Sequence, residues 1–97
     1  MRVKYTYPVF IKQANDDYLV YVPFWDIYTE GCSFGDAVEM ARDAIRTLAK
    51  SMMENGEEIP KQPTQKEAKQ RAKEDADEMF DYSDGTMVFV DFELKTK

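Results

Sequence analysis

The feature that most constrains the fold is an amphipathic repeat in the middle of the 97-residue chain. Such a repeat, with apolar residues three and four apart, is typical of a helix that packs one face on a core. Ser33 is a suitable N-cap, Asp36 lies near the positive end of the helix dipole, and Asn55 with Gly56 supplies a stop. One long helix is therefore predicted. Its apolar stripe comprises Phe34, Ala37, Val38, Ala41, Ala44, Ile45, Leu48, Ala49 and Met52.

Segments in which apolar and polar residues alternate flank this helix and predict strands. Three lie before it, at 3–13, 18–22 and 27–31, and one lies after it, at 86–94. Polar residues 15–17 predict a hairpin turn between the first two strands. Pro8 cannot donate a ladder hydrogen bond, which predicts an edge position, a bulge or a local break in the first strand. The order β-β-β-α-β predicts an α+β fold, a mainly antiparallel sheet with one long helix on one face.

Residues 61–80 form a polar connector before the last strand. Thr64 and Glu67 make a capping-box pattern, which predicts a second helix over residues 65–78. Its apolar stripe consists of alanine alone, and its bases precede its acids, the reverse of what the helix dipole favours. We therefore expect this helix to be marginal and solvated. With this connector included, residues 1–97 are expected to form a single domain.

The charge balance indicates the kind of partner. The chain carries 13 Lys and Arg against 19 Asp and Glu, a net charge of −6. Nucleic-acid-binding modules neutralise phosphates with clustered bases, so this acidic balance favours a basic protein as the partner. No apolar stretch approaches the roughly 20 residues of a membrane-spanning helix, no signal-peptide pattern follows Met1, and Cys32 is the lone cysteine. We therefore expect a cytoplasmic protein.

The residues needed for common catalytic chemistry are missing. The chain has no histidine, which removes the commonest general base and most zinc sites. The predicted strand order resembles part of the RNase H fold, yet the first strand has no carboxylate for a two-metal nuclease. Asp26, Glu30 and Asp91 remain as candidate metal ligands, although solvated surface charges are the simpler interpretation. We predict no catalytic residue, no metal site and no cofactor.

Two groups of large apolar residues exceed what one small core can bury. One lies around the third strand, and Trp and Tyr are enriched at interface hot spots, although burial is the alternative for any one of them. The other is the last strand, which is apolar on both sides and suited to pairing with a second copy. The predicted partner-binding residues are Phe24, Trp25, Asp26, Tyr28 and Glu30. The predicted oligomer interface comprises Met87, Val88, Phe89 and Val90.

Taken in order, several short segments resemble the HicB-like antitoxin family. They cover nearly the whole chain except residues 65–79, and their order and spacing are more specific than any one of them. The matching pieces are Tyr7-Pro8-Val9-Phe10, the acidic turn, residues 18–23, Thr29-Glu30-Gly31 leading into a helix with Ala37 and Ala41, residues 55–60, and Phe89-Val90-Asp91-Phe92.

The resemblance implies a degenerate RNase H-like domain without catalytic acids, and an oligomer. It also implies a HicA-like partner, a small toxin that cleaves messenger RNA and whose active surface the antitoxin would cover. Full-length relatives commonly continue into a DNA-binding module after the last strand, so direct DNA binding is not expected from this chain alone. Two alternatives remain open: an interaction scaffold with a non-toxin partner, and a metal-dependent RNase H-like remnant enzyme.

Overall fold

The computed structural model describes residues 2–76 and 81–95. The elements, in chain order, are β1 (Arg2–Ala14), β2 (Asp17–Val22), β3 (Ile27–Gly31), α1 (Phe34–Glu54), α2 (Gln65–Glu74), a 3-10 turn (Tyr82–Asp84) and β4 (Thr86–Lys95). The four strands form one antiparallel sheet in the order β3-β2-β1-β4. The predicted α+β class is confirmed, whereas the likeness to part of the RNase H fold stays a prediction.

Strand β1 is central, but β2 covers only part of it. Its register with β4 runs without interruption over residues 2–11, whereas β2 pairs only with residues 10–14. Continuing the β1–β2 register would bring Pro8 opposite Pro23, and neither proline has an N–H to donate. The ladder between β1 and β2 therefore ends before the prolines, and Pro8 has the edge-like position that its missing donor predicts.

The connection between the two helices uses this unpaired side of β1. Residues 59–62 lie beside residues 4–7 of β1 and line a shallow groove with them. The Tyr7 hydroxyl donates a hydrogen bond to the carbonyl of Pro60, and Pro63 is buried. The shortness of β2 thus leaves room for the chain to pass from one face of the sheet to the other.

Helix α1 packs on the face of the sheet that holds the main core. The sheet residues in this core are Tyr7, Val9, Ile11, Val20, Val22, Val90, Phe92 and Leu94. Opposite them the helix buries Ala37, Ala41, Ile45 and Ala49. Because three of these four side chains are methyl groups, the helix backbone lies close to the sheet. At Gly31 this approach is so tight that an added Cβ would lie 2.4 Å from the backbone nitrogen of Ala37.

Two large residues of the predicted apolar stripe are not core. Phe34 and Leu48 are 39% and 38% exposed, which corrects the expectation that both are core. The Phe34 ring still meets the ring of Tyr18 on β2 edge-on, with 6.2 Å between centroids. Ala49 and Met52, which follow Leu48 along α1, still pack on the main core. Leu48 is therefore exposed because it lies at the margin of the buried stripe, and not because the sheet ends beneath it. Among the described residues no helix combines the length and apolarity needed to cross a membrane.

Helix α2 begins at the predicted capping box. The Thr64 hydroxyl accepts from the Glu67 backbone N–H at 3.1 Å, and the Glu67 carboxylate accepts from the Thr64 N–H at 3.0 Å. Hydrogen bonds with the backbone and then with the side chain of Thr64 lower the pKa of Glu67. The helix ends at Glu74, and the last two residues of the predicted helix, 77 and 78, lie outside the described residues.

Helix α2 packs on the second face of the sheet through its alanine stripe, while seven of its ten residues are exposed, so the prediction of a solvated helix is wrong for that stripe. Ala68 and Ala72 are almost completely buried and pack against Phe10 and Tyr21, which point away from α1. Alanine buries little area of its own, but it lets the helix approach until the two rings fill the gap. The stabilising area therefore comes mainly from the sheet side of the contact. Both faces of the sheet are covered, by one helix each.

Truncating the core side of α1 tests this packing. Ile45→Ala should lower the free energy of unfolding by about 2–5 kcal/mol, because Ile45 is fully buried and a cavity would remain. Leu48→Ala should cost clearly less, since more than a third of Leu48 is already in contact with water. Urea denaturation measures both changes, and equal costs would show that α1 is seated differently.

Candidate partner-binding site

The turn between β2 and β3 orients the first predicted partner residues. Phe24 and Asp26 have φ angles of 71° and 53°, in the left-handed region that bulky side chains avoid. Because these residues interrupt the extended backbone, neighbouring side chains no longer alternate as they do in a strand. Phe24 is 37% exposed, whereas Trp25 is 6% exposed. The turn holds a strained backbone and presents a phenyl ring on the surface.

Trp25 belongs to the core, which corrects its predicted role as a surface anchor. Its ring meets the ring of Tyr7 edge-on, with 5.2 Å between centroids, in the cluster beneath α1. The indole Nε1 is buried and has no hydrogen-bond partner among the described residues. A run of apolar residues in a turn cannot be sorted into inside and outside by period-two alternation, so the sequence could not separate Trp25 from Phe24.

The other predicted partner residues lie together at one edge of the sheet. Asp26, Tyr28 and Glu30 are all exposed, and Tyr28 is exposed over 56% of its surface. Strand β3 is an edge strand of the sheet that the described residues form. Residues 13–41, which include β2, β3 and the start of α1, contain no Lys or Arg. The acids in this stretch are Asp16, Asp17, Asp26, Glu30, Asp36 and Glu39.

Three tyrosines meet beside this acidic edge, and we refer to Tyr21, Tyr28 and Tyr82 as the tyrosine cluster. The ring centroid of Tyr21 lies 5.2 Å from the centroid of Tyr28 and 5.2 Å from that of Tyr82. The centroids of Tyr28 and Tyr82 are 5.9 Å apart. Tyr21 is buried at the base, while Tyr28 faces outward. Ser83, Asp84 and Gly85 are residue types typical of a turn, but no local pattern shows that this segment folds back over β2 and β3.

A polar network links the cluster to α2. The Tyr21 hydroxyl donates a hydrogen bond to the Asp75 carboxylate, and burial together with this bond raises the pKa of Tyr21. The Asp75 carboxylate lies 3.4 Å from Nε of Arg71, whose guanidinium carbon is 5.3 Å from the centre of the Phe24 ring. Arg71 Nε is buried and makes no hydrogen bond within residues 2–76 and 81–95, so its contact with Asp75 is electrostatic. The strained turn and α2 are thereby joined.

The predicted oligomer residues lie on β4, the opposite edge of the sheet. Phe89 is 42% exposed, Met87 and Val88 are half-buried, and Val90 is fully buried in the main core. Further along β4 the charges are paired, because Lys4 Nζ lies 3.1 Å from the Asp91 carboxylate. The hydrogen bond and charge of Lys4 lower the pKa of Asp91. The β4 edge therefore offers apolar surface at residues 87–89 and balanced charge beyond it.

The three carboxylates considered as metal ligands do not meet. Asp26 and Glu30 lie at the β3 edge, whereas Asp91 is on β4, three strand spacings or about 14 Å across the sheet. Within residues 2–76 and 81–95, no three His, Cys, Asp or Glu side chains are placed to share a metal ion. These three carboxylates therefore cannot together bind the metal ions that the remnant-nuclease alternative requires.

The strain at Asp26 gives a matched pair of substitutions. Asp26→Gly should be at least as stable as the wild type, because glycine adopts a positive φ without steric cost. Asp26→Ala should be less stable than Asp26→Gly by about 1 kcal/mol, since its Cβ keeps the clash. Thermal unfolding of the three proteins measures this order, and an alanine variant more stable than the glycine variant would contradict the left-handed turn.

Comparison with known proteins agrees with the resemblance found in the sequence. A family model described as HicB_like antitoxin of bacterial toxin-antitoxin system matches residues 7–96. This range runs from the middle of β1 through both helices to the end of β4. No curated protein and no solved structure gives a significant match. Because the match covers nearly the whole chain, this protein belongs to the HicB-like antitoxin family of bacterial toxin–antitoxin systems.

Proposed function

We propose that this antitoxin binds a HicA-like toxin, a small basic protein that cleaves messenger RNA, and neutralises it by covering its active surface. The proposed contact residues are Phe24, Asp26, Tyr28 and Glu30, and Trp25 supports them from the core. The observation that carries this proposal is the exposed ring of Tyr28, which lies between two exposed carboxylates in a stretch without a base. Both proteins would act in the cytoplasm, where messenger RNA is translated.

Charge supports this choice of surface. A protein that cleaves RNA needs a basic face to bind phosphates. The acidic β3 edge complements such a face, and complementary charge accelerates encounter and fixes orientation. Exposed aromatic rings then supply the buried area from which hot spots are made. Asp26 and Glu30 would therefore mainly raise the association rate and orient the toxin. Phe24 and Tyr28 would mainly slow dissociation of the complex.

Neutralisation of this kind requires no chemistry in the antitoxin. An interface of ordinary size buries about 800 Å² on each partner, which is enough to cover the catalytic groups of a small nuclease. RNA would be excluded both by the bulk of the antitoxin and by its negative charge. The absence of histidine from the sequence is compatible with such a role, because the antitoxin has no proton to move.

Charge reversal at the β3 edge tests the proposal. When the antitoxin and the small basic protein encoded beside it are produced together, the two should co-purify and growth should be rescued. The double variant Asp26→Lys/Glu30→Lys should weaken the complex by at least about 100-fold, because two attractions become repulsions in the contact. Titration calorimetry measures the dissociation constant, and a growth assay measures rescue.

Glu93→Lys is the matched control for the single variant Glu30→Lys, because each changes the net charge by the same amount, at opposite edges of the sheet. Glu93 is half-exposed and only 3.6 Å from a more exposed Arg2, so its loss should affect stability little. Equal weakening by both variants would mean that net charge alone, and not the β3 edge, binds the toxin. Absence of any co-purifying basic protein would favour a scaffold with a different partner.

We also propose that β4 pairs with β4 of a second copy. It is a ten-residue edge strand, and the outward-facing Phe89 is exposed beside half-buried Met87 and Val88. A long apolar edge strand is a surface that proteins otherwise protect, and antiparallel pairing across a twofold axis would extend the sheet through both copies. Val90 is buried in its own core and would contribute through its backbone alone.

A lysine on the β4 edge tests this pairing. Phe89→Lys should convert the oligomer into a monomer, because it places a charge in the apolar contact. Met40→Lys is the control, since Met40 has the same 42% exposure as Phe89 but lies on α1. Light scattering coupled to gel filtration measures the mass of each. A wild-type monomer, or a Phe89→Lys variant that remains oligomeric, would contradict the proposal.

A further inference from the structure

The tyrosine cluster has the composition of a site for a positively charged side chain. Tyr28 is 56% exposed, and its ring rests on the rings of Tyr21 and Tyr82. The faces of aromatic rings carry partial negative charge and attract cations, arginine more often than lysine. Because the rings support one another, Tyr28 would lose little freedom on binding, which favours affinity.

Two carboxylates, those of Glu30 and Asp75, lie near the tyrosine cluster. Glu30 follows Tyr28 by two residues on the same face of β3, about 7 Å along the strand. Asp75 lies behind Tyr21, to which it is hydrogen-bonded. A guanidinium group placed over the Tyr28 ring could reach the Glu30 carboxylate with its N–H groups. Residues 13–41, which include β3, contain no Lys or Arg.

The chain already binds one of its own arginines in this way. Arg71 stacks on Phe24, with 5.3 Å from its guanidinium carbon to the ring centre, and its Nε lies 3.4 Å from the Asp75 carboxylate. The same two kinds of group, an aromatic ring and a carboxylate, lie near each other at Tyr28 and Glu30, where Tyr28 is 56% exposed. Arg71 is thus an example, within this fold, of a guanidinium group held between an aromatic ring and a carboxylate, as we propose below for Tyr28 and Glu30.

We propose that the tyrosine cluster binds an arginine of the toxin, with the guanidinium group over the ring of Tyr28 and paired with Glu30. This inference rests on the proposed function, because it names the chemical group that the β3 edge recognises. Arginine suits the site better than lysine, since its planar group stacks on a ring and donates hydrogen bonds from its edge at the same time. Tyr and Arg are also the residues that most often form hot spots.

A titration without toxin tests the site directly. N-acetylarginine amide, added up to about 50 mM because a single cation–π contact binds weakly, should shift the ring NMR signals of Tyr28 and Tyr82. N-acetylcitrulline amide has nearly the same shape without the charge and should shift them far less. The Tyr5 ring, which stacks on Phe92 on the α1 side, is the internal control. Equal shifts with both amides, or no shift with arginine, would overturn the proposal.

The complex with the toxin supplies the second measurement. Tyr28→Phe keeps the aromatic face and should retain affinity, whereas Tyr28→Leu and Glu30→Gln should each weaken binding by about tenfold. Thermal unfolding of each variant checks that the fold is intact. If the toxin binds wild type and Tyr28→Leu equally, the arginine site is wrong while the antitoxin function stands. If arginine amide binds but no toxin does, the site stands and the proposed function fails.

Discussion

The packing of one helix on each face of a single sheet is the constraint on which the rest of the structure depends. The helix side of both contacts consists mainly of alanines, with Ala37, Ala41 and Ala49 beside Ile45 on α1, and Ala68 and Ala72 on α2. These small side chains bring the α1 backbone near the sheet, and on both faces larger residues of the strands fill the space between helix and sheet. Because both faces are covered, the two edge strands become the open parts of the described sheet.

The two edges of the sheet differ in chemistry, and each therefore suits a different kind of partner. The β3 edge combines exposed carboxylates with the outward ring of Tyr28 and has no neighbouring base in sequence, which suits a cationic protein. The β4 edge combines the exposed ring of Phe89 with charges that Lys4 and Arg2 already balance, which suits a second copy. On these proposals the protein binds a toxin at one edge of the sheet and assembles through the other.

The strands and α1 could be predicted because their side-chain periodicity matches the backbone period directly. The docking of α2 on the sheet could not be predicted, because its alanines indicate neither the distance between helix and sheet nor the aromatic rings of the sheet on which the helix packs. Trp25 was misplaced for a different reason: left-handed residues on both sides of it break the alternation on which the prediction depended. The aromatic part of the candidate site was half predicted, since Tyr28 lies on a predicted strand, whereas Tyr82 joins it from 54 positions further along the chain.

The central claim is that the β3 edge is the surface that meets the toxin. Amide hydrogen exchange of the antitoxin, alone and in complex, reports on every backbone N–H in one experiment. Our account predicts that residues 24–30 become strongly protected in the complex, while the C-terminal half of α1 changes little. Protection confined to the helices, with exchange along β3 unchanged, would contradict it.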